Sequence, residues 1–420
     1  MHIAFMTPEY HTPESTTGGL GIYLRKTSMA LVASGHRVSI FLQGHRSRCW
    51  LDDEVSVYAE ERAGPWSWAG RHRWLGTVAP AIRQVRSARR LAERVRKVHE
   101  HDPIDIIQTS SFMAPGLAML RNGRIPVICR ASSYTPLWRA AFGGVRSPAQ
   151  YFCDGLELRQ FTRADAIYAP SQFLAGLLNR FEGLAVDVIR TPLPETGLVN
   201  NEFFENNLKG KRFLLHFGSL SRLKGTDLIG TALPSVMERH RDLWLVVVGQ
   251  DTELPDGRKM LDVLRQDLGA FAGRLFCHSY LPHEDLTPVI AGAEGVIMPY
   301  RVDNYSNACL ETLSQGVPVI GSLDSSLDEI ITDGKTGYLV KQADPVSLAQ
   351  GVERLLAMTT EQQGVMRREI LRVVAEMRNE NRIGQLIQYY SLVLERYRQR
   401  RYLPAADARP TGTDRTHIGR

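Results

Sequence analysis

Short β-rich runs alternate with stretches of helical apolar spacing along the chain, and the alternation occurs twice with a break between. In residues 1–192 the strand-like runs fall near 2–7, 37–42, 104–109, 126–131, 166–170 and 186–190. Helical patterns lie between them near 20–34, 80–100, 112–121, 148–163 and 171–181. Such alternation specifies parallel βαβ units. Residues 192–211, PLPETGLVNNEFFENNLKGK, interrupt it with Pro, Gly and Asn clusters and read as a linker. A second series follows, with strands near 213–218, 243–249, 274–280, 295–299, 317–321 and 337–340. At 420 residues the chain exceeds what one core usually supports. The expected architecture is therefore α/β, with two Rossmann-like doubly wound domains facing a central cleft. The domains are placed at 1–195 and 196–381, followed by an amphipathic helix over 382–402 and a disordered polar tail over 403–420.

The five cysteines, at 49, 129, 153, 277 and 309, form no CxxC pair and no metal spacing with His. They suit a reducing compartment as small buried side chains. No apolar run approaches the roughly 18 residues of a membrane span, and no leader is evident. The chain is expected in the cytoplasm, either soluble or peripheral on the inner face of the membrane.

The net charge of +6 is uneven. Residues 1–200 hold 24 Lys and Arg against 17 Asp and Glu, whereas the remainder holds 27 against 28. Much of the excess lies between Arg71 and Lys97, where only Glu93 opposes nine basic residues, with Trp66, Trp68 and Trp74 nearby. Apolar residues there recur at helical spacing, which gives a domain helix with a solvated basic face, or else a surface for an anionic membrane or an acidic acceptor. No recognised motif supports a nucleic-acid partner.

Three segments carry chemistry. Pro299–Gly321 places Asp303 in a loop and Glu311 inside a helix for which Ser306 or Asn307 is the N-cap. The peptide between the acids is an anion cradle, most naturally for a phosphate, and the carboxylates can hold sugar hydroxyls. Thr16–Tyr23 puts Gly18, Gly19 and Gly21 between a strand and a helix. As a dinucleotide fingerprint it fails, because Leu24 stands where the last Gly belongs and the second strand ends at Gln43 rather than an acid. Phe217–Thr226 carries Gly218, Ser219, Arg222 and Lys224 at the first strand of the second domain. Gly334-Lys-Thr336 is not a P-loop, since the required earlier Gly is Glu329.

Taken in this order, the motifs resemble the retaining GT-B glycosyltransferases of family 4 (glycosyl transferases group 1) to about residue 400. The resemblance implies transfer of a hexosyl unit from a nucleotide-diphosphate sugar to an acceptor hydroxyl with retention. It assigns Lys224 and the amides of Asn304, Tyr305 and Ser306 to the diphosphate, Glu311 to the ribose and Asp303 to the donor sugar. The glycine loop would meet diphosphate and acceptor, and Phe276–Pro282, with His278 and Tyr280, would wrap the base. The terminal helix would cross back to the first domain. Three positions depart from the pattern: Asp303 replaces the usual Glu, Ser219 the usual Arg, and Ser132 or Ser133 stands on the acceptor side where a His is common. Arg222 is a candidate replacement for the arginine. No DxD-type metal site accompanies the motifs, so a metal-independent reaction without a cofactor is expected. A nucleotide-sugar isomerase of the same architecture, or a non-catalytic sugar-nucleotide-binding partner subunit, remains as an alternative.

Overall fold

The computed structural model describes residues 1–12, 18–64, 73–143, 147–193 and 197–402. The expected disordered tail, and the Thr16, Thr17, Trp66, Trp68 and Arg71 positions, lie outside them.

The first sheet contains β1 (His2–Thr7), β2 (Arg37–Gly44), β3 (Arg48–Asp52), β4 (Val55–Glu61), β5 (Ile106–Ser110), β6 (Val127–Arg130), β7 (Ala166–Ala169) and β8 (Asp187–Val188). Its order is β3-β4-β2-β1-β5-β6-β7-β8, parallel except for the β3–β4 pair. The helices of this half are α1 (Gly19–Ala33), α2 (Arg73–His101), α3 (Thr135–Ala141), α4 (Pro148–Arg163) and α5 (Gln172–Glu182). Side-chain alternation along β1 divides the core: Ile3 and Phe5 meet α1 through Leu24 and Leu31, while Ala4 and Met6 meet α2 through Leu91 and Val95.

After α6 (Glu202–Asn207), the second sheet is formed by β9 (Arg212–Phe217), β10 (Leu243–Val248), β11 (Leu275–His278), β12 (Gly295–Met298), β13 (Val319–Ser322) and β14 (Gly337–Val340). Its order is β11-β10-β9-β12-β13-β14 and every pairing is parallel. Around it lie α7 (Thr226–Arg239), α8 (Met260–Leu268), α9 (His283–Ala291), α10 (Asn307–Ser314), α11 (Pro345–Leu356) and α12 (Thr360–Asn379). The buried members of its core run from Leu208 to Val374, with Leu193, Phe203, Phe204 and Met377 packed against them. The last helix, α13 (Arg382–Tyr402), instead inserts Leu386, Tyr390, Val393 and Leu394 into the first core.

Local chemistry explains several boundaries. Ser147 and Gln150 form a capping box ahead of α4, with Pro148 at its first position, and Ser171 caps α5, which ends at left-handed Gly183. Besides α3, which none of the expected helices covers, three segments differ from the sequence reading. The β3–β4 hairpin was not anticipated, and α6 lies inside the supposed linker, where Phe203 and Phe204 pack on the second core. The expected helix over 112–121 reduces to a 3₁₀ turn at Leu117–Met119. Met113 and Ala114 take φ values of 64° and 44°, and α4 captures the local amides: Glu157 accepts from Met113 and Gln160 from Gly116, both at 2.9 Å. Of the cysteines, Cys129 and Cys309 are buried as expected, but Cys49 is exposed on β3.

Burial pushes the Glu157 carboxyl up to about 7, against hydrogen bonds from Thr135 and the Met113 amide that favour its anion. The folded chain therefore holds a proton between pH 4.5 and 7 that the unfolded chain releases. This contribution to stability is complete below about pH 4.5 and is lost as pH rises through about 7. Glu157→Gln is expected to remove about 2 kcal/mol of the difference in unfolding free energy between pH 5 and 7.5, measured by urea titration. An unchanged difference would rule out Glu157 as its source.

Candidate active site

Strand β9 lies between β10 and β12, so the second sheet reverses direction of winding there and opens a crevice at its carboxyl edge. The loops after β9 and β12 flank it. They touch at Gly225, where an added Cβ would lie 2.0 Å from the Pro299 carbonyl oxygen, and they are tied by Arg301 N–H donating to Leu223 O at 2.9 Å. The Arg301 guanidinium makes two bonds of 2.7 Å to Asp227 at the start of α7. Beneath them, fully buried His216 donates from Nδ1 to Ile297 O at 2.8 Å. This leaves Nε2 to accept from Thr226 at 3.0 Å, while Thr226 Oγ1 accepts from Ser221 N–H at 3.1 Å. Burial lowers the His216 pKa to about 4, so the ring is a neutral strut.

This frame brings Lys224 to Asp303, Nζ to Oδ2, at 2.8 Å. The ammonium also sits 4.0 Å from the centroid of the Tyr300 ring. The other oxygen of Asp303 accepts from Asn304 N–H at 2.7 Å. The backbone then turns through Tyr305 at φ 60°, whose amide donates to Ser326 Oγ at 2.9 Å. Ser306 caps α10 by accepting from Cys309 N–H at 3.3 Å. The amides of Asn304 and Tyr305, expected at the diphosphate, thus already donate to Asp303 and to Ser326. The first turn of α10, which begins at Asn307, still offers the unpaired backbone N–H groups of a helix start.

Glu311 sits one turn further along α10, with its side chain 13% exposed. Burial raises its pKa, while Lys26 of α1 and His283 of α9, 3.8 Å away, favour the anion. Lys26 comes from the first domain. The glycine loop also reaches across, for a Cβ on Gly19 would lie 3.6 Å from Asn307 Nδ2, and Gly21 is buried in α1. Asn304 bridges the domains as well: Nδ2 donates to Ala131 O at 3.2 Å and Ser132 O at 3.1 Å, and its amide oxygen accepts from Ser171 at 2.9 Å. Glu329 accepts from Gln172 and Phe173 amides at 2.9 and 2.6 Å, supplying from the second domain an anion at the first turn of α5. Ser132 thus meets Asn304 through its carbonyl, and the amides of Ser132 and Ser133 turn toward Ser111 Oγ.

Other expected residues stand apart from the Lys224–Asp303 pair. Arg222 lies 3.8 Å from Asp227 and leans on Gly143 of the first domain, 2.9 Å from the Cβ position there. Gly218 and Ser219 are exposed at the rim, and Tyr280 is 56% exposed. His278 packs edge-on against Phe203 with centroids 5.0 Å apart, and its carbonyl accepts from Gly249 N–H. On α2, Arg83, Arg89, Arg90, Arg96 and Lys97 are exposed, while Arg94 pairs with Glu60. The sequence reading missed Tyr300, Arg301 and His216, none of which carries a local signal beyond its residue type, and it gave no individual role to Ser326 or Glu329, although the segment 325–337 resembles the acid-plus-turn stretch that follows the signature helix in the family.

Among the described residues, no group of three or more His, Cys, Asp or Glu side chains could hold a metal ion, and no helix is long and apolar enough to cross a membrane. Residues 17–193 match the family described as Glycosyltransferase Family 4, and residues 199–397 match Glycosyl transferases group 1. An uncharacterized glycosyltransferase of Methanocaldococcus jannaschii is 25% identical over 373 residues, spanning 85% of this chain and 89% of that protein. The fold is similar to sucrose-phosphate synthase from Thermosynechococcus elongatus, with a TM-score of 0.72 and 18% identity over 94% of this chain and 99% of that one. It is also similar to Anabaena HepE, solved in complex with UDP, with a TM-score of 0.64 and 17% identity over 93% and 99% of the two chains.

Proposed function

Since the chain belongs to the GT-B glycosyltransferases of family 4 type, we propose that it moves a hexosyl unit from a nucleotide-diphosphate sugar to an acceptor hydroxyl with retention at the anomeric carbon. The observation that carries this reading is the convergence of Lys224, Asp303, the start of α10 and partly buried Glu311 on one wall of the interdomain cleft. The acceptor oxygen bonds to the anomeric carbon as the bond to the diphosphate oxygen breaks. The electron pair leaves with the diphosphate, which also takes the hydroxyl proton. Lys224 and the α10 amides stabilise the growing negative charge, a task that calls for fixed donors in a water-poor site. Asp303 holds Lys224 in place and offers an oxygen to the donor sugar, without a bound metal. Retention rests on the family, and the pathway is biosynthesis of a glycan, glycolipid or glycoconjugate. The chain acts in the cytoplasm, with the basic face of α2 available to an anionic membrane.

Glu311 is assigned to the ribose hydroxyls, as a carboxylate able to accept two hydrogen bonds in a partly desolvated site. Glu311→Gln keeps the shape but loses the charge, and is expected to weaken UDP, GDP or ADP binding, whichever the chain takes, about 10- to 100-fold by calorimetry. Equal affinity in the variant would remove the ribose assignment.

A further inference from the structure

The chain crosses between the domains twice, after β8 and again at the start of α13, and both crossings present an arginine to the same side chain. Arg190 from the first crossing and Arg382 from the second place their guanidinium carbons 5.8 and 5.6 Å from the ring centroid of Tyr305. Both are cation–π distances. The Tyr305 residue is 2% exposed, so the ring is enclosed where the two crossings meet the loop between β12 and α10.

Arg382 is itself 3% exposed. Its Nε meets Glu380 Oε2 at 3.0 Å, and its Nη1 donates to Thr191 O at 2.5 Å. Thr191 follows Arg190 on the other crossing, and its hydroxyl accepts from Arg130 Nη2 at 3.4 Å. One guanidinium thus ties the two crossings together while resting against Tyr305. The Glu380 side chain is 41% exposed, so water shares its charge and the buried cation leans on a carbonyl and a ring. Stability alone gives little reason for a cation there, since an apolar side chain of similar volume often serves as well.

The position of Tyr305 supplies a reason. Its φ of 60° is a conformation that a bulky residue keeps only where its surroundings fix it. The preceding amide, Asn304 N–H, donates to Asp303 at 2.7 Å, and Asp303 holds Lys224 at 2.8 Å. Release of the left-handed turn would therefore re-aim the Asp303 carboxylate and, with it, the ammonium. We propose that Arg382, with Arg190, is a positioning residue for transfer: acting through the Tyr305 ring, it holds the turn that sets the Asp303–Lys224 pair. The inference rests on the transferase reading and adds to it residues at the chain crossings that act through others.

The test measures nucleoside diphosphate release by the full chain at saturating donor, with a bacterial extract as the source of acceptor. Arg382→Met should lower kcat about 10- to 100-fold, the scale of a small misplacement of catalytic groups. Donor KM, and affinity for whichever of UDP, GDP and ADP binds tightest, should change less than about threefold, because Glu311 sits on α10 beyond the turn. Arg382→Lys keeps the charge but not the planar fork and recovers only part of the rate. Tyr305→Phe keeps the ring face and stays within about threefold of the parent, whereas Tyr305→Leu falls as far as Arg382→Met. The double variant Tyr305→Leu, Arg382→Met should be no slower than the slower single, since both remove one interaction. Losses that multiply in the double variant, or a parental kcat in folded Arg382→Met, overturn the positioning role. If Arg382→Met does not fold, the Tyr305 pair decides, and equal rates for Phe and Leu there overturn it. A parent chain that releases no nucleoside diphosphate overturns the transferase reading instead, and this inference with it.

Discussion

Lys224→Ala lowers the rate of glycosyl transfer about 100- to 1,000-fold at saturating donor, while urea unfolding still shows one cooperative transition with a similar slope. The size follows from position. The ammonium is the cation aimed at the loop between β12 and α10, and loss of a single preorganised donor to developing negative charge costs a factor of this order. Its removal also leaves Asp303 without its partner, but both side chains are about one-fifth exposed, so water compensates for much of the lost pairing. The effect should thus appear in kcat far more than in stability. Lys224→Arg is expected to recover only part of the rate, because the planar fork cannot occupy the same place 4.0 Å from the Tyr300 ring while reaching Asp303. A transfer rate within about threefold of the parent in Lys224→Ala would separate this residue from the chemistry.

Gly225→Ala is the second large effect, and it acts on the framework. The residue has φ 68°, and its added methyl would lie 2.0 Å from Pro299 O, so the left-handed backbone and the contact both oppose any side chain. The first costs roughly 1 kcal/mol and the second, relieved by parting the two loops, about 1–3 kcal/mol more. Parting them also draws Lys224 away from Asp303. A fall of about 2–4 kcal/mol in unfolding free energy is expected, with a loss of transfer larger than the stability change alone explains. Gly210→Ala provides the comparison, having φ 78° but nothing within 4 Å of its Cβ position. It should cost only about 1 kcal/mol and leave transfer intact. Equal losses from the two substitutions would mean that the Pro299 contact is not what holds the site loops together.

What was legible in the sequence was what neighbouring residues determine. The strand–loop–helix around Asp303 and Glu311 could be read because a buried apolar run, a Ser N-cap and a helical carboxylate are all encoded within 25 residues. The same holds for the alternation that gives both sheets their parallel order. The segment 112–121 was misread for the converse reason: Glu157 and Gln160, more than 40 residues away, take its amides and hold Met113 and Ala114 at positive φ. Tertiary contacts there override helical propensity. The bridging contacts were invisible for a related reason. That Glu329 meets the start of α5, or that Lys26 faces Glu311, depends on how two domains seat on each other, and no periodicity encodes that. Arg222 shows the limit at a single side chain, since its position near Lys224 in sequence does not decide whether the guanidinium turns to the diphosphate or to Asp227.

The central claim is tested most directly by incubating the purified chain with UDP-, GDP- and ADP-sugars and measuring release of nucleoside diphosphate, with and without a bacterial extract supplying acceptors and membranes. The account predicts release from one nucleotide class that rises sharply with the extract and is lost in Lys224→Ala. Donor binding with no release under any condition, or donor consumed without nucleoside diphosphate appearing, would contradict transfer and favour a binding subunit or an isomerase respectively.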